Sequence, residues 1–253
     1  MIDMHCHILH GMDDGSSSLR ESVELCRMAV ANSIRTAVLT PHLPNPAQME
    51  DFLRHRDKRM DELKRALDHE KIELELLPGA EIFVDDDVFF APSFGDATLN
   101  GSRYILIEFT FRGLNTMRLV KYVNEFFARG LVPIIAHPER YFYTQENYDT
   151  INHLADLGVL FQLNGTSLVG NNGLEAKELG FAMARNGLAS FIGSDAHSVH
   201  HRPNDLLAML NHFPRAIPFD VYDRMLNANP RKIINDEDFD RGSFEPIRRK
   251  RFL

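Results

Sequence analysis

Two short segments of this 253-residue chain, His5-Cys6-His7 and Asp195-Ala196-His197, carry metal-competent side chains two residues apart. On an extended strand, residues i and i+2 face the same side. Each pair can therefore present both donors to one ion, with Cys6 pointing away as a small buried hydrophobe. Asp13-Asp14-Gly15 follows the first pair in a turn able to return one carboxylate, Asp14, over the same place. His42, Glu81, Glu108 and His137 bring the candidates to nine. Imidazole and carboxylate without thiolate suit manganese, iron or zinc in a catalytic site rather than a structural zinc site. An ion takes three or four protein ligands, so nine donors imply two or three ions with bridging carboxylates. Neighbouring ions suit hydrolysis at phosphorus, where they share a hydroxide nucleophile and neutralise charge on the transferring group.

Two arginines fit that chemistry. Arg140, in His137-Pro138-Glu139-Arg140, stands one turn beyond a candidate ligand, and Arg202 follows His197 at a similar remove. A guanidinium matches phosphate oxygens bidentately. Other chemistries fail on spacing. A cysteine phosphatase needs arginine six residues after its nucleophile, where Cys6 has Met12 and Cys26 has Asn32. Gly165 and Gly170 have the spacing of a phosphate loop, but Asn171 follows where lysine is required. Neither a dinucleotide fingerprint nor a Gly-x-Ser-x-Gly elbow is present. Asp85-x-Asp87 resembles an aspartyl-phosphate nucleophile, but Phe89 lacks the hydroxyl that motif carries, so the stretch Asp85–Pro92 is expected to be an exposed acidic insertion.

The elements that must position these groups read as short apolar runs alternating with amphipathic ones. Strands are expected at Ile2–Cys6, Thr36–Thr40, Ile72–Leu77, Tyr104–Phe109, Val132–Ala136, Val159–Leu163 and Ser190–Ser194. Most are continuously apolar, as strands buried on both faces of a parallel sheet are. Ser18-Leu19-Arg20-Glu21 reads as a capping box opening a first helix. Asn45-Pro46 reads as the start of a second, with Met49, Phe52, Leu53, Met60, Leu63 and Leu67 on one face. Helices are further expected over Thr116–Arg129, Glu146–Asp156, Leu174–Asn186, Asp205–Phe213 and Phe219–Asn227. A β-α unit repeated about seven times predicts a parallel α/β fold, barrel or open sheet. Each expected strand delivers a polar residue near its carboxyl end: His5 and His7, His42, Glu81, Glu108, His137, Asn164, then Asp195 and His197. Sites in parallel α/β folds form on that rim, and packing does not explain so many polar strand ends.

Composition narrows the class. Lys and Arg number 28 and Asp and Glu 36, a net charge of −8, which argues against a general nucleic-acid binder. Two cysteines make no disulfide framework. The first residues lack the basic and apolar regions of a signal peptide, and no apolar run approaches a membrane span. A cytoplasmic protein without membrane insertion is expected, one domain over residues 1–253. The basic run Arg248–Arg251 is expected to be a solvated tail.

The chain resembles the polymerase-and-histidinol-phosphatase superfamily of metal-dependent phosphoesterases, and within it the bacterial tyrosine-protein phosphatases of capsule and exopolysaccharide operons. The stretches that carry this are Met1–His7, Met12–Gly15, Thr40–His42, Gly79–Ile82, Ile107–Phe109, Ala136–Tyr141, Gln162–Asn164 and Gly193–Ser198, in the family's order from residue 1 to about 203. The resemblance implies a distorted (β/α)7 barrel holding three divalent ions, manganese foremost with iron or zinc as alternatives. It implies that His5, His7, Glu81 and Asp195 hold one ion, that Glu81, Glu108 and His137 hold a second, and that Asp14, His42 and His197 hold a third. Arg140 and Arg202 would hold the phosphate. The implied substrate is the autophosphorylated tyrosine-rich tail of a membrane-associated kinase controlling polysaccharide export; an oligomer is compatible with all of this.

The expected reaction is hydrolysis of a phosphotyrosine monoester, with Asp195 or bound water as the first choice of acid. Phe109, Phe111, Tyr141, Phe142 and Tyr143 are candidates to sandwich the phenol ring. Two rivals stay open: a small-molecule phosphatase acting on histidinol phosphate or a nucleotide, and a non-enzymatic regulatory module.

Overall fold

The computed structural model describes residues 1–253 apart from 44, 92, 205, 211–216 and 249–253. Among the described residues nine strands, all parallel, alternate with helices: β1 (Ile2–Cys6), β2 (Thr36–Leu39), β3 (His42–Leu43), β4 (Glu75–Pro78), β5 (Glu81–Phe83), β6 (Tyr104–Glu108), β7 (Val132–Ala136), β8 (Leu160–Asn164) and β9 (Phe191–Gly193). They pair in two sheets, β1-β2-β4 and β3-β5-β6-β7-β8-β9. Only Thr40-Pro41 separates β2 from β3, and only Gly79-Ala80 separates β4 from β5. These are two staves each broken once. Pro41 has no N–H to give to a ladder. At Gly79 a Cβ would sit 3.0 Å from Val38 and 3.1 Å from Leu99, so a side chain at the break would press on both neighbours.

The ring closes between β1 and the residues after β9. His5 O accepts from Asp195 N at 2.8 Å, and Ala196 O accepts from His7 N at 2.8 Å. The result is a distorted (β/α)7 barrel. Strands β3 and β5 are additional to the expected seven, because two- and three-residue strands leave no periodicity to read. The third expected strand, Ile72–Leu77, begins only at Glu75. Ile72 N still bonds Leu67 O as the chain leaves a helix through left-handed Lys71.

Alternation along the strands separates two layers. Tyr104 and Leu106, Ile134 and Ala136, Leu160 and Phe191 pack together with Met4 and Val38 inside the ring. Ile105 and Ile107, Ile135, Phe161 and Leu163, and Ile192 belong to the larger cluster under the helices. Glu108, Gln162 and Asn164 share the inward parity and so stand above the inner core.

The helices are α1 (Leu19–Ala31), α2 (Met49–Glu70), α3 (Thr116–Ala128), α4 (Phe142–Glu146), α5 (Asp149–Asp156), α6 (Gly165–Val169), α7 (Leu174–Arg185), α8 (Leu206–Leu210), α9 (Phe219–Asp223) and α10 (Asn229–Ile234). Ser18 caps α1 by accepting from Glu21 N, but the Glu21 carboxylate bonds Ser17 N and Oγ instead of closing the expected box. Asn45 accepts from Ala47 N and opens a 3-10 turn, Pro46–Gln48, ahead of α2. On the apolar face of α2 stands a buried arginine. Arg56 is 2% exposed and donates to Gly79 O at 3.2 Å and Asp96 O at 2.6 Å, tying the helix to the break in the second stave.

The expected helix Glu146–Asp156 is divided, with α4 ending at Glu146 and α5 beginning at Asp149. The last expected helix continues through a π-helical turn, Arg224–Ala228, into α10. The insertion Asp85–Pro92 is less exposed than expected: Val88 is buried, and Asp86 accepts from Tyr122 and Arg118 on α3. Pro92, residues 249–251 of the basic run, and Asp205 and 211–213 of the expected helix lie outside the described residues. No helix among the described residues is long and apolar enough to cross a membrane.

Candidate metal centre

The barrel brings all nine candidate donors to one rim. His5 Nε2 and His7 Nε2 lie 3.0 Å apart. Glu81 sits fully buried among four imidazoles: its Oε2 is 3.1 Å from His5, 3.2 Å from His7 and 3.2 Å from His42, and its Oε1 is 3.1 Å from His137. Asp195 Oδ1 is 3.6 Å from both His5 and His7 and 3.5 Å from His197 Nδ1. Glu108 approaches His137 at 3.5 Å and His42 at 3.9 Å. Asp14, on its turn, reaches His197 at 3.4 Å and His42 at 3.6 Å.

Three groups have donor atoms within 4.8 Å of one another: His7, Asp14, His42 and His197; His5, His7 and Glu81; and His42, Glu81 and Glu108. They overlap through His7, His42 and Glu81, so the donors form one connected cluster. The expected division differs: His7 also joins the Asp14 group, His42 joins the two glutamates, and Asp195 and His137 stand outside all three groups, beside them through His5 and Glu81.

The donors fit a cationic group. Buried imidazole nitrogens face one another and buried carboxylate oxygens, an arrangement that needs protons or cations between them. Burial works against the imidazolium of His7, yet Asp13 and Glu81 outweigh it and hold the pKa at about 10. Burial and the positive charge of His7 push His197 down to about 4. Burial and repulsion by Glu81 raise Glu108 to about 8. Burial opposes ionisation of Glu81, but His5 and the bonds from His137, His5 and His7 keep it well below the usual range. Such a mixture of trapped protons and ionised carboxylates is what divalent ions displace on binding. His137 and Asp195 adopt positive φ, 34° and 54°, each costing about 1–3 kcal/mol for a non-glycine residue. Among the described residues six non-glycine positions have positive φ, and these two are candidate ligands just beyond strand ends.

A second set of side chains aims the first. Asp13 Oδ2 lies 2.7 Å from His7 Nδ1 and accepts from His42 N at 2.8 Å. Gln162 Oε1 lies 2.8 Å from His5 Nδ1. Buried Asp3 accepts from Ser194 N at 2.9 Å, Ser194 Oγ at 2.6 Å and Asn204 Nδ2 at 2.9 Å, pinning the loop that carries Asp195. Asn164 Nδ2 donates to Asp195 Oδ2 at 2.5 Å. None of Asp3, Asp13 or Gln162 was a candidate from sequence. Asp13, beside Asp14 in the same turn, was the one with a visible signal.

Arg140 Nη1 and Arg202 Nη2 converge on that same Asp195 Oδ2, at 3.2 and 2.5 Å. The Arg140 guanidinium lies 5.0 Å over the Phe111 ring, which in turn stacks on His137 at 5.9 Å and 7°. One expectation is corrected here. Phe109 and Tyr141 are buried, packed on each other with Tyr141 Oη donating to Ala136 O, so neither can sandwich a substrate ring. Phe142 remains exposed, and Phe111 and Tyr143 are half-buried. The groups around Asp195 favour its ionised form. Burial opposes its charge, but His5, Arg202, His137 and His7 hold it far below the usual carboxylate range.

A seven-staved α/β barrel with a rim of imidazoles, carboxylates and arginines defines a class of metal-dependent phosphoesterase sites. The sequence profile of the capsular polysaccharide synthesis family CpsB/CapC matches residues 1–235, and the chain belongs to that family. It is 32% identical over its full length to tyrosine-protein phosphatase YwqE of Bacillus subtilis, covering 99% of that protein. It is 35% identical to putative tyrosine-protein phosphatase CapC of Staphylococcus aureus, over 83% of this chain and 82% of that one. A crystal structure from work on YwqE and on CpsB of Streptococcus pneumoniae, described as unique metal-dependent tyrosine phosphatases, superposes with a TM-score of 0.88 at 32% identity, covering 98% of this chain and 100% of the other. The phosphotriesterase homology protein of Escherichia coli shares the fold at 12% identity, with a TM-score of 0.58 over 92% of this chain and 98% of its own.

Proposed function

We propose that this chain is a metal-dependent protein-tyrosine phosphatase acting as one cytoplasmic domain over residues 1–253. Its substrate is the phosphorylated tyrosine-rich tail of a membrane-associated kinase in capsular or exopolysaccharide synthesis. The observation that carries the reading is the convergence of nine imidazole and carboxylate donors beside two guanidinium groups on one rim. The naming of the relatives as tyrosine-protein phosphatases supports the substrate.

In this reading His5, His7, Glu81 and Asp195 hold one ion, Glu81, Glu108 and His137 a second, and Asp14, His42 and His197 a third, with manganese the preferred metal. When bound, adjacent divalent ions supply positive charge and hydroxide at neutral pH. The chain's own residues do the rest. Arg140 and Arg202, 24% and 37% exposed, turn from Asp195 Oδ2 toward phosphate oxygens and stabilise the charge that develops as the P–O bond breaks. Phe111 supports Arg140 from below and keeps its plane fixed. A tyrosine phenolate, with a pKa of about 10, departs without the acid an alkoxide needs, which agrees with an Asp195 held ionised.

Arg140→Ala should therefore lower kcat/KM by about 3–4 kcal/mol, the loss that follows removal of one preorganised donor. Arg140→Lys should recover only part, because an ammonium lacks the planar fork. An unchanged kcat/KM in Arg140→Ala would move the phosphate clamp to Arg202 alone.

Substrate class is tested by kcat/KM on phosphotyrosine and phosphoserine peptides, histidinol phosphate and a nucleoside monophosphate under one manganese concentration. Phosphotyrosine should lead, with small aryl phosphates also turned over. Phosphoserine should be poor, since its side chain is shorter and its alkoxide leaves badly. A preference of about tenfold or more for histidinol phosphate or the nucleotide would replace the substrate assignment.

A further inference from the structure

One buried amide links two of the candidate ligands from below. Gln162, inaccessible on β8, has an oxygen 2.8 Å from His5 Nδ1. Its nitrogen donates to Leu163 O at 2.7 Å and to Asn164 Oδ1 at 3.0 Å. Both neighbours of that nitrogen are oxygens, so the amide has one orientation: Oε1 is the acceptor, and His5 Nδ1 carries the proton. The lone pair of His5 is then on Nε2, the atom facing Glu81, His7 and Asp195. With its Oδ1 occupied, Asn164 turns its Nδ2 to Asp195 Oδ2 at 2.5 Å. Asn164 is itself anchored, its backbone N donating to Glu139 Oε1 at 3.0 Å. The path has a single donor direction, His5 to Gln162, Gln162 to Asn164, Asn164 to Asp195.

Space is made for it by Gly193 on the next strand. A Cβ there would lie 2.8 Å from His5 Cβ and 2.9 Å from Gln162 Nε2. A leucine or methionine at 162 would fill the same volume without burying an amide, which is costly unless every polar atom is paired. The polarity of Gln162 is spent on His5, Leu163 O and Asn164, and its Oε1 also accepts from His137 N at 3.4 Å.

We propose that Gln162 is a positioning residue of the metal centre, fixing the ring and tautomer of His5 and, through Asn164, the carboxylate of Asp195. The inference rests on the proposal that His5 and Asp195 hold metal. Groups that orient metal-ligating histidines are worth about 10–100-fold in metal affinity.

The test uses the full chain with Gln162→Leu and Gln162→Glu. Manganese affinity is read from the electron paramagnetic resonance signal of free Mn2+. The His5 Nδ1 proton is followed by NMR in the diamagnetic zinc-loaded protein. In the wild type that proton should exchange slowly, shielded by its bond to Gln162. Gln162→Leu should weaken manganese binding by about 10–100-fold and lose the slow proton. Gln162→Glu keeps an acceptor for His5 but no donor for Asn164, so it should keep the proton and bind manganese with intermediate affinity. If the leucine variant does not fold, the glutamate variant decides alone, because preserved wild-type affinity there removes the path through Asn164. A wild type that binds manganese together with variants that bind it equally well overturns the role of Gln162 and leaves the metal reading intact. A wild type that binds no manganese overturns both.

Discussion

Stripping divalent metal from the protein should abolish phosphotyrosine hydrolysis, and manganese should restore it better than magnesium. The reason lies in the donor set. Five of the nine donors are imidazoles, His5, His7, His42, His137 and His197. Magnesium prefers oxygen ligands in a strict octahedron and dehydrates reluctantly, so a donor set more than half imidazole suits it poorly. Without cations, Arg140 and Arg202 rest on Asp195, and buried His7 keeps a proton that Asp13 and Glu81 hold in place. Nothing in that state activates water. The protons also fix the sign of the pH dependence. His7 in the metal-free protein loses its proton only near pH 10, so metal binding at neutral pH must release it, and manganese affinity should rise with pH. The measurement is turnover of a phosphotyrosine peptide by protein whose metal content has been assayed after chelation, then after addition of each ion. Full turnover at verified zero metal would overturn the mechanism.

How much of this was legible in the sequence depends on whether a residue's role is set locally. The barrel and its rim were, because continuous apolar runs mark buried parallel strands and their carboxyl ends are where polar residues accumulate. The i, i+2 pairs at residues 5 and 7 and at 195 and 197 stood out by their spacing, although β1 ends at Cys6 and β9 at Gly193, so His7, Asp195 and His197 follow the strands rather than lie on them. Gln162 and Asp3 were hidden because a lone polar residue in an apolar strand has no spacing to betray its partner; those partners are 157 and 191 residues away. Arg56 was hidden on the buried face of α2, since an arginine in a helix ordinarily reads as surface. The aromatics show the opposite error. Phe109 and Tyr141 follow ligands in sequence, which places them near the site but not on it, and the alternation of β6 sends Phe109 outward under the helices. The charge on Asp195 is held by His5 and His137, both distant in sequence, together with Arg202, so its protonation state could not be read from its neighbours alone.

Glu81→Gln should be the most damaging conservative substitution in the centre, while Cys6→Ser, next to two candidate ligands, should be nearly silent. Glu81 is completely buried and reaches four imidazoles at 3.1–3.2 Å with its two oxygens. Glutamine keeps the volume and one acceptor but removes the negative charge and places an NH2 against nitrogens that must accept a cation. Two of the three donor groups contain Glu81, so one substitution disturbs both. Losing the several kcal/mol of charge stabilisation that metal ions supply corresponds to at least about 10³ in kcat/KM. Manganese stoichiometry should fall with it. Cys6 also sits at the centre in sequence, but its Sγ is turned to Val38 O at 3.5 Å, on the side of β1 opposite the imidazoles. A serine hydroxyl can make the same contact. Burial raises the Cys6 thiol well above its ordinary value, which disfavours the thiolate a nucleophile requires. The pair of variants thus separates metal chemistry from cysteine chemistry in one assay, kcat/KM on a phosphotyrosine peptide with bound manganese counted in parallel. A Cys6→Ser enzyme as inactive as Glu81→Gln, with its manganese retained, would show that the strand presents its sulfur to the reaction after all.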